Sequence, residues 1–90
     1  MTEQQHQKKI SDFLEDQGWY VVRLMQTNKA GIPDLVAFHP SRRPLWIEVK
    51  RPTTHLQKLQ EFVIGILRKS YNQNVMVAYG YDDFKEKYEL

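Results

Sequence analysis

The stretch GIPDLVAFHPSRRPLWIEVK, residues 31–50, decides how this chain of 90 residues folds. Its apolar run Leu35–Phe38 is typical of a strand covered on both faces, and Leu45–Val49 indicates a second strand. The connection Pro40–Pro44 is short and rich in turn formers and basic residues, which favours an antiparallel hairpin. Turn-forming residues also fill Asn28–Pro33, just before the first strand. We therefore predict a β-hairpin in the middle of the chain.

Three polar side chains, those of Asp34, Glu48 and Lys50, lie in or beside the two apolar runs. Asp34 immediately precedes the first strand, and Glu48 follows fourteen residues later in the second strand. Because side chains alternate along a strand, Glu48 and Lys50 point to one face of the sheet and Val49 to the other. The hairpin brings Asp34 beside them. Two carboxylates with room for water suit a hard cation such as Mg²⁺ or Mn²⁺, and a lysine can orient or deprotonate an attacking water.

Helices and further strands are predicted on both sides of the hairpin. Thr2 and Gln5 resemble a capping box that opens a helix over residues 3–16, and Gly18 ends it. The segment Trp19–Leu24 is rich in β-branched and aromatic residues and predicts a strand. After the hairpin, the pattern predicts a helix over about 55–70, a buried strand over 75–79 and a short helix over 82–88 capped by Asp82 or Asp83.

The order of predicted elements is αβββαβ with a terminal helix, which places residues 1–90 in the α/β class as a single domain. We expect one mixed central sheet flanked by helices. The chain has no cysteine, which excludes disulfides and thiolate metal sites and agrees with a reducing cytoplasm. No apolar run approaches the roughly 20 residues that cross a bilayer, and we expect no role at a membrane.

The formal net charge is +2, but the charged residues are unevenly distributed along the chain. Residues 23–69 carry nine Lys or Arg against three Asp or Glu, a difference of +6, whereas the two ends are acidic. A concentrated positive surface attracts phosphate backbones because counterions are released on binding. The candidate contacts to nucleic acid are Lys29, Arg42, Arg43 and Arg51. A solvated surface of ordinary lysines and arginines is the alternative reading.

The polar residues of the hairpin resemble the motif of the PD-(D/E)XK nuclease superfamily. Pro33 and Asp34 match its first half, and Glu48-Val49-Lys50 match its second half. Within that superfamily the chain resembles the virus-type replication-repair nuclease domain, VRR-NUC. This narrower resemblance rests on a glutamate in the first helix, the G-x-P-D-L turn, the I-E-V-K strand and a glutamine in the following helix. It spans nearly the whole chain and implies a restriction-endonuclease-like core.

The resemblance implies a role for each motif residue. Asp34 and Glu48 would hold Mg²⁺ or Mn²⁺, assisted by the main-chain carbonyl of Val49. Lys50 would serve the nucleophilic water. The alternatives are that Asp34 only ends a turn and that Glu48 and Lys50 form an exposed pair of little energetic value.

Two helical residues complete the implied site. Glu3 would bind the metal directly or through water, or else it is only a first-turn acid facing the helix dipole. Gln60 is our first choice for the helical glutamine, because it lies ten residues after Lys50, and Gln57 is the second. The alternative for Gln60 is an ordinary place on the helix surface.

The implied activity is that of a metal-dependent endonuclease that hydrolyses phosphodiester bonds of structured DNA. Phage and bacterial members resemble Holliday-junction resolvases, so the resemblance implies branched DNA, a homodimer and the cytoplasm of a bacterial or phage host cell. Three alternatives stay open: a monomeric nicking or flap endonuclease, a non-catalytic nucleic-acid-binding module, and a structural interaction domain. The chain is too short to hold a separate DNA-recognition domain as well.

Overall fold

The computed structural model describes all 90 residues, with three helices and one four-stranded sheet. Strands lie in the order β1-β2-β3-β4, with β1, β2 and β3 antiparallel and β3 parallel to β4. The predicted α/β class, mixed sheet and element order are confirmed. None of the helices has the length and apolar character needed to span a membrane. The elements are α1 (Glu3–Asp16), β1 (Tyr20–Arg23), β2 (Leu35–His39), β3 (Arg42–Lys50), α2 (Lys58–Lys69), β4 (Asn74–Tyr79) and α3 (Tyr81–Tyr88).

Strand β3 is longer than the sequence predicted. Residues 42–44 were assigned to a turn but form the start of this strand, so the connection from β2 shrinks to residues 40–41. The pairing of β2 with β3 changes register between Ala37 and His39. An irregularity of this kind bends the strand locally. It also allows Pro44 in the strand, because proline has no N–H to donate to a regular ladder of hydrogen bonds.

Two helices begin differently from the prediction. Helix α2 begins later than expected because Gln57, the residue before it, has an extended backbone and acts as the N-cap. Helix α3 is capped by Gly80, with φ of +93°, and not by Asp82 or Asp83. The side chain of Asp83 accepts a hydrogen bond from the Tyr79 N–H at 2.8 Å instead. Asp83 therefore fixes the turn between β4 and α3 from inside the helix.

The main core lies between one face of the sheet and the pair of helices α1 and α3. Leu45, Ile47 and Val49 of β3 point to this face and are buried. From the helices, the core receives Ile10, Leu14 and Phe84. Since β3 side chains alternate, Glu48 and Lys50 point to the opposite face, where α2 lies. One strand therefore supplies apolar side chains to the core and polar side chains to the other face.

Helix α2 covers only part of that second face. The Arg68 guanidinium donates to the Val75 carbonyl at 2.6 Å, and the Trp46 indole donates to the Gln73 side chain at 2.9 Å. These contacts place α2 and the chain that follows it over β4 and the adjoining part of β3. Val36 of β2 is buried on this face, whereas Tyr20 and Phe38 at the far end of β1 and β2 stay exposed.

The turn before β2 lies directly against α2. Gly31 has φ of +82°, a left-handed conformation that favours glycine. A Cβ added at Gly31 would lie 3.0 Å from Leu59 Cγ and 3.2 Å from the Leu59 carbonyl oxygen. No larger residue fits without displacing the turn or the helix. The contact therefore fixes Asp34, three residues further on, relative to α2.

We expect Gly31→Ala to lower the free energy of unfolding by about 2 kcal/mol, because it combines a strained φ with a contact against helix backbone. Urea denaturation measures the change. Gly65→Ala is the matched control, since a Cβ at Gly65 has nothing within 4 Å and helix propensity alone should raise stability by about 1 kcal/mol. Equal effects of the two substitutions would contradict this account of the turn.

Candidate active site

Asp34 and Glu48 lie side by side where β2 begins and β3 ends. Leu35 pairs with Ile47 in the antiparallel register, so the next residues, Asp34 and Glu48, are neighbours on the face of α2. The Val49 N–H donates a hydrogen bond to Asp34 Oδ2 at 2.8 Å. The Leu24 N–H donates to the Asp34 carbonyl, also at 2.8 Å. Asp34 is therefore held from both neighbouring strands.

Glu48 is a carboxylate in a buried position, with only 2% of its surface exposed. Gln60 Nε2 donates to Glu48 Oε2 at 3.3 Å, while Glu48 Oε1 is buried and has no hydrogen-bond partner. The Gln60 side chain is itself anchored, because its Oε1 accepts the Gln57 N–H at 2.9 Å. Gln60 thus occupies the place expected for the helical glutamine. Gln57, our second choice, is the exposed cap of α2.

The electrostatics of the site penalise an ionised Glu48. The pKa of Glu48 is raised from 4.5 to about 8, first by burial and second by the charge of Asp34. The charge of Glu3 acts in the same direction, whereas the charge of Lys50 opposes them. Without a cation, the paired carboxylates of Asp34 and Glu48 therefore retain a proton at neutral pH.

Lys50 and Glu3 approach the carboxylates from different elements. Lys50 is the last residue of β3 and is 8% exposed, and it forms no ion pair within the chain. Glu3 is the first residue of α1 and is half-buried. It shares the lining of a cavity of about 310 Å³ with Arg51, which follows β3. The fold thus gathers Asp34, Glu48, Lys50 and Glu3 at one end of the sheet.

The architecture and this site can be compared with known proteins. A family model described as the VRR-NUC domain matches residues 1–82 of the chain. The chain belongs to the VRR-NUC domain family. A solved structure described as a VRR_NUC domain superposes with a TM-score of 0.87 at 25% sequence identity, and the match covers 99% of this chain and 97% of that chain. A search among curated proteins found no match.

Membership confirms the resemblance inferred from the motifs and makes this a nuclease-type domain. The family model ends within α3, whereas the structural match extends over almost the whole chain. Helix α3 is therefore part of the VRR-NUC fold of this protein and completes its core through Phe84.

The donor set of this VRR-NUC site suits a partly hydrated cation. No three His, Asp or Glu side chains are grouped closely enough to form a metal cage. Two carboxylates, a carbonyl and several waters are nevertheless a ligand set that Mg²⁺ accepts. The unpartnered Glu48 Oε1 is a buried acceptor of the kind that a cation would satisfy. Asp34 and Glu48 therefore fit Mg²⁺ or Mn²⁺, and the roles of Glu3 and the Val49 carbonyl stay predictions.

The four basic residues predicted to contact nucleic acid are dispersed over the VRR-NUC domain. Arg51 follows β3 and lies close to the carboxylates, in the cavity that Glu3 also lines. Lys29 is exposed in the connection between β1 and β2. Arg42 and Arg43 begin the nine-residue strand β3, which places Arg42 about 26 Å along the strand from its last residue. The structure therefore does not gather Arg42 and Arg43 with the carboxylates.

Sequence reasoning missed the polar contacts that hold α1 beside the site. His6 is 8% exposed, and its Nδ1 accepts the Tyr81 N–H at 3.0 Å. Burial lowers the pKa of His6, which favours the neutral ring that can accept this bond. A signal was present, because His6 precedes Ile10 and Leu14 at intervals of four along the buried stripe of α1.

The metal-free protein should lose stability as the pH rises from about 4.5 to about 8, because folded Glu48 keeps a proton that the unfolded chain releases. Glu48→Gln removes this titration. In EDTA near pH 8, we expect the free energy of unfolding of Glu48→Gln to exceed that of the wild type by on the order of 1–2 kcal/mol, a value already reduced for solvent screening. Near pH 4, the two free energies of unfolding should be equal. Urea denaturation across this range measures the difference.

Glu61→Gln is the matched control, since Glu61 is an exposed acid on α2 and its loss should give no gain that grows with pH. Mg²⁺ or Mn²⁺ should stabilise the wild type and have little effect on Glu48→Gln. A Glu48→Gln protein that is less stable than the wild type near pH 8 would show that the ionised carboxylate is favourable in the folded state.

Proposed function

We propose that this VRR-NUC domain is a Mg²⁺- or Mn²⁺-dependent endonuclease that hydrolyses phosphodiester bonds of branched DNA, with the four-way Holliday junction as its substrate. The observation that carries the proposal is the neighbouring pair Asp34 and Glu48 with a buried, unpaired Lys50 beside it. This arrangement agrees with the PD-(D/E)XK pattern of the sequence. A DNA substrate and a chain without cysteine are compatible with the cytoplasm of a bacterial or phage host cell.

Asp34 and Glu48 would hold the cation, with the Val49 carbonyl and Glu3 as further oxygen donors. A divalent cation in this place supplies Lewis-acid polarisation of the phosphate and a more acidic water. The hydrogen bond from the Val49 N–H fixes Asp34 Oδ2, which leaves Oδ1 of the same carboxylate for other partners. In Glu48, the bond from Gln60 occupies Oε2 and leaves Oε1 free. Each carboxylate thus presents one oxygen to the site.

Lys50 supplies the positive charge that the reaction needs. Its ammonium lies on the same face as Glu48, in a poorly hydrated position where a charge acts more strongly than in water. There it can hold the nucleophilic water in line with the scissile bond and offset the negative charge that develops on the phosphate. Arg51 lies next to it and can contact the adjacent phosphate of the cut strand.

Asp34→Ala, Glu48→Ala and Lys50→Ala should each lower the rate of cleavage by at least about 100-fold while the protein stays folded. The measurement is cutting of labelled four-way junction, flap and plain duplex DNA with Mg²⁺, Mn²⁺ or EDTA. Lys69→Ala removes an exposed lysine on α2 and should cut as the wild type does. A folded Lys50→Ala protein with unchanged activity would refute the assignment.

The same assay separates the alternatives. Paired, symmetric nicks in the junction favour a resolvase, whereas preferential cutting of flaps or nicked duplex favours a monomeric structure-specific endonuclease. Binding without any cutting indicates a non-catalytic nucleic-acid-binding module. Absence of salt-sensitive DNA binding would indicate a structural interaction domain.

We also propose a homodimer that forms through the apolar face, defined as Tyr20, Val22 and Phe38 of the sheet with Leu59 and Phe62 of α2. Tyr20 pairs with Phe38 across β1 and β2, and Phe38 is 44% exposed. Tyr20 is 72% exposed and Phe62 is 65% exposed. Monomeric proteins rarely expose apolar patches of this kind.

A second copy is the occupant that this surface favours. The side chains of the apolar face carry no charge, so an isologous contact meets no repulsion. They expose on the order of 500 Å² per protomer, and a polar rim would bring this close to the roughly 800 Å² that each partner buries in a standard interface. Leu59 contacts the turn at Gly31 and so borders the catalytic hairpin. A twofold axis through this face would set two catalytic centres on either side of it.

Phe62→Glu should convert the dimer into a monomer, because it places a charge in the middle of the apolar face. Light scattering at micromolar concentration measures the mass. Leu90→Glu is the control, since Leu90 is fully exposed at the end of the chain, outside this face. A wild-type mass equal to one chain would refute the proposed dimer. A Phe62→Glu protein that is still dimeric would show that the interface is not the apolar face.

A further inference from the structure

A basic cavity lies at the opposite end of β3 from the carboxylates. It has a volume of about 470 Å³, and Arg42 and Arg43 of β3 and Lys87 of α3 contribute to its lining. Trp19, Tyr88 and Asn74 are among its other lining residues, and none of the lining side chains is acidic. The cavity therefore has a positive rim in which Arg42 and Arg43 have no acidic partner, and nothing in the proposed hydrolysis uses it.

The two guanidinium groups of this cavity keep most of their hydrogen-bonding capacity. Arg42 makes one long bond, from Nη1 to the Tyr88 hydroxyl at 3.5 Å, and Arg43 donates to the Asn72 carbonyl. Neither forms an ion pair. Each guanidinium has five N–H donors, so several stay available to an anion. Lys87 differs, because Asp83 neutralises it at 2.8 Å.

The wall of the basic cavity is aromatic and held in place. Trp19 is 6% exposed, and its indole N–H donates to the Tyr88 hydroxyl at 3.0 Å. Guanidinium groups that share a cavity with aromatic side chains suit a phosphate together with its sugar or base. The ligand chemistry is therefore that of a nucleic-acid backbone.

The position of the basic cavity separates it from the cut strand. Leu45 lines the cavity and points to the face of α1 and α3, whereas Glu48 points to the face of α2. Arg42 and Lys50 are also about 26 Å apart along the strand. A straight duplex that lies on the carboxylates at one face cannot also enter a cavity on the other face. A nucleic-acid ligand here must be a second segment of the substrate.

We propose that the basic cavity binds the phosphate backbone of a second arm of the branched DNA whose cut strand lies at Asp34 and Glu48. This inference rests on the proposed nuclease function. Arg42 and Arg43 then select branched over plain DNA and take no part in hydrolysis. Their loss weakens junction binding and leaves the chemical step unchanged.

The test compares the affinities of a four-way junction and of a plain duplex by fluorescence anisotropy in EDTA, at several salt concentrations. For the Arg42→Ala/Arg43→Ala protein we expect a loss of junction affinity of at least about tenfold, a change in duplex affinity below about twofold, and a junction salt slope lower by about two. The charge-matched control is Lys8→Ala/Lys69→Ala, which removes two exposed lysines elsewhere and should keep the preference for the junction.

Single-turnover cleavage at saturating junction should give the same rate for wild type and for the double variant. Equal losses of junction and duplex affinity, or no loss at all, would overturn the proposal. Should the double variant prove unstable, the junction and duplex affinities are compared for Arg42→Ala alone. This substitution removes only the 3.5 Å hydrogen bond to Tyr88. A wild type that never cuts DNA but prefers junctions through Arg42 and Arg43 would refute the nuclease and leave the second-arm site standing.

Discussion

The burial of Glu48 next to Asp34 is the constraint on which the rest of this molecule depends. Two carboxylates in a poorly hydrated place repel each other, and they stay together only because rigid backbone holds both. Asp34 is fixed by the Val49 N–H, and Glu48 is oriented by Gln60 at the beginning of α2. The turn at Gly31, pressed against α2, sets the distance between strand and helix. The folded state therefore carries an electrostatic cost at this pair, which the surrounding packing has to offset.

Strand β3 connects this site to the stability of the whole fold. Its alternate residues Leu45, Ile47 and Val49 are core residues, while the residues between them face α2 and include Glu48. A side chain that shifts in the core therefore also moves Glu48, because both belong to the same backbone. The strand places the arginines of the basic cavity at its start and Lys50 at its end.

Much of this arrangement could be predicted because its causes are local. Alternation along a strand and the connection of a hairpin place Asp34 and Glu48 together, whatever the rest of the chain does. The prediction of a turn at residues 42–44 was wrong, because two arginines followed by a proline usually indicate a turn. Here the change of register between β2 and β3 allows these residues to begin the strand. The basic cavity could not be predicted at all. It joins Arg42 with Lys87, and only packing of α3 on the sheet brings residues so distant in sequence together.

The parallel pairing of β3 with β4 has a consequence for how the chain folds. Strands β1, β2 and β3 pair with neighbours joined by loops, whereas β4 can reach β3 only after the crossover through α2. Contacts between distant segments form late because the entropy of loop closure opposes them. We infer that the hairpin carrying both carboxylates forms while they are still hydrated. Glu48 loses its water only when α2 docks, so this unfavourable desolvation follows the formation of the hairpin.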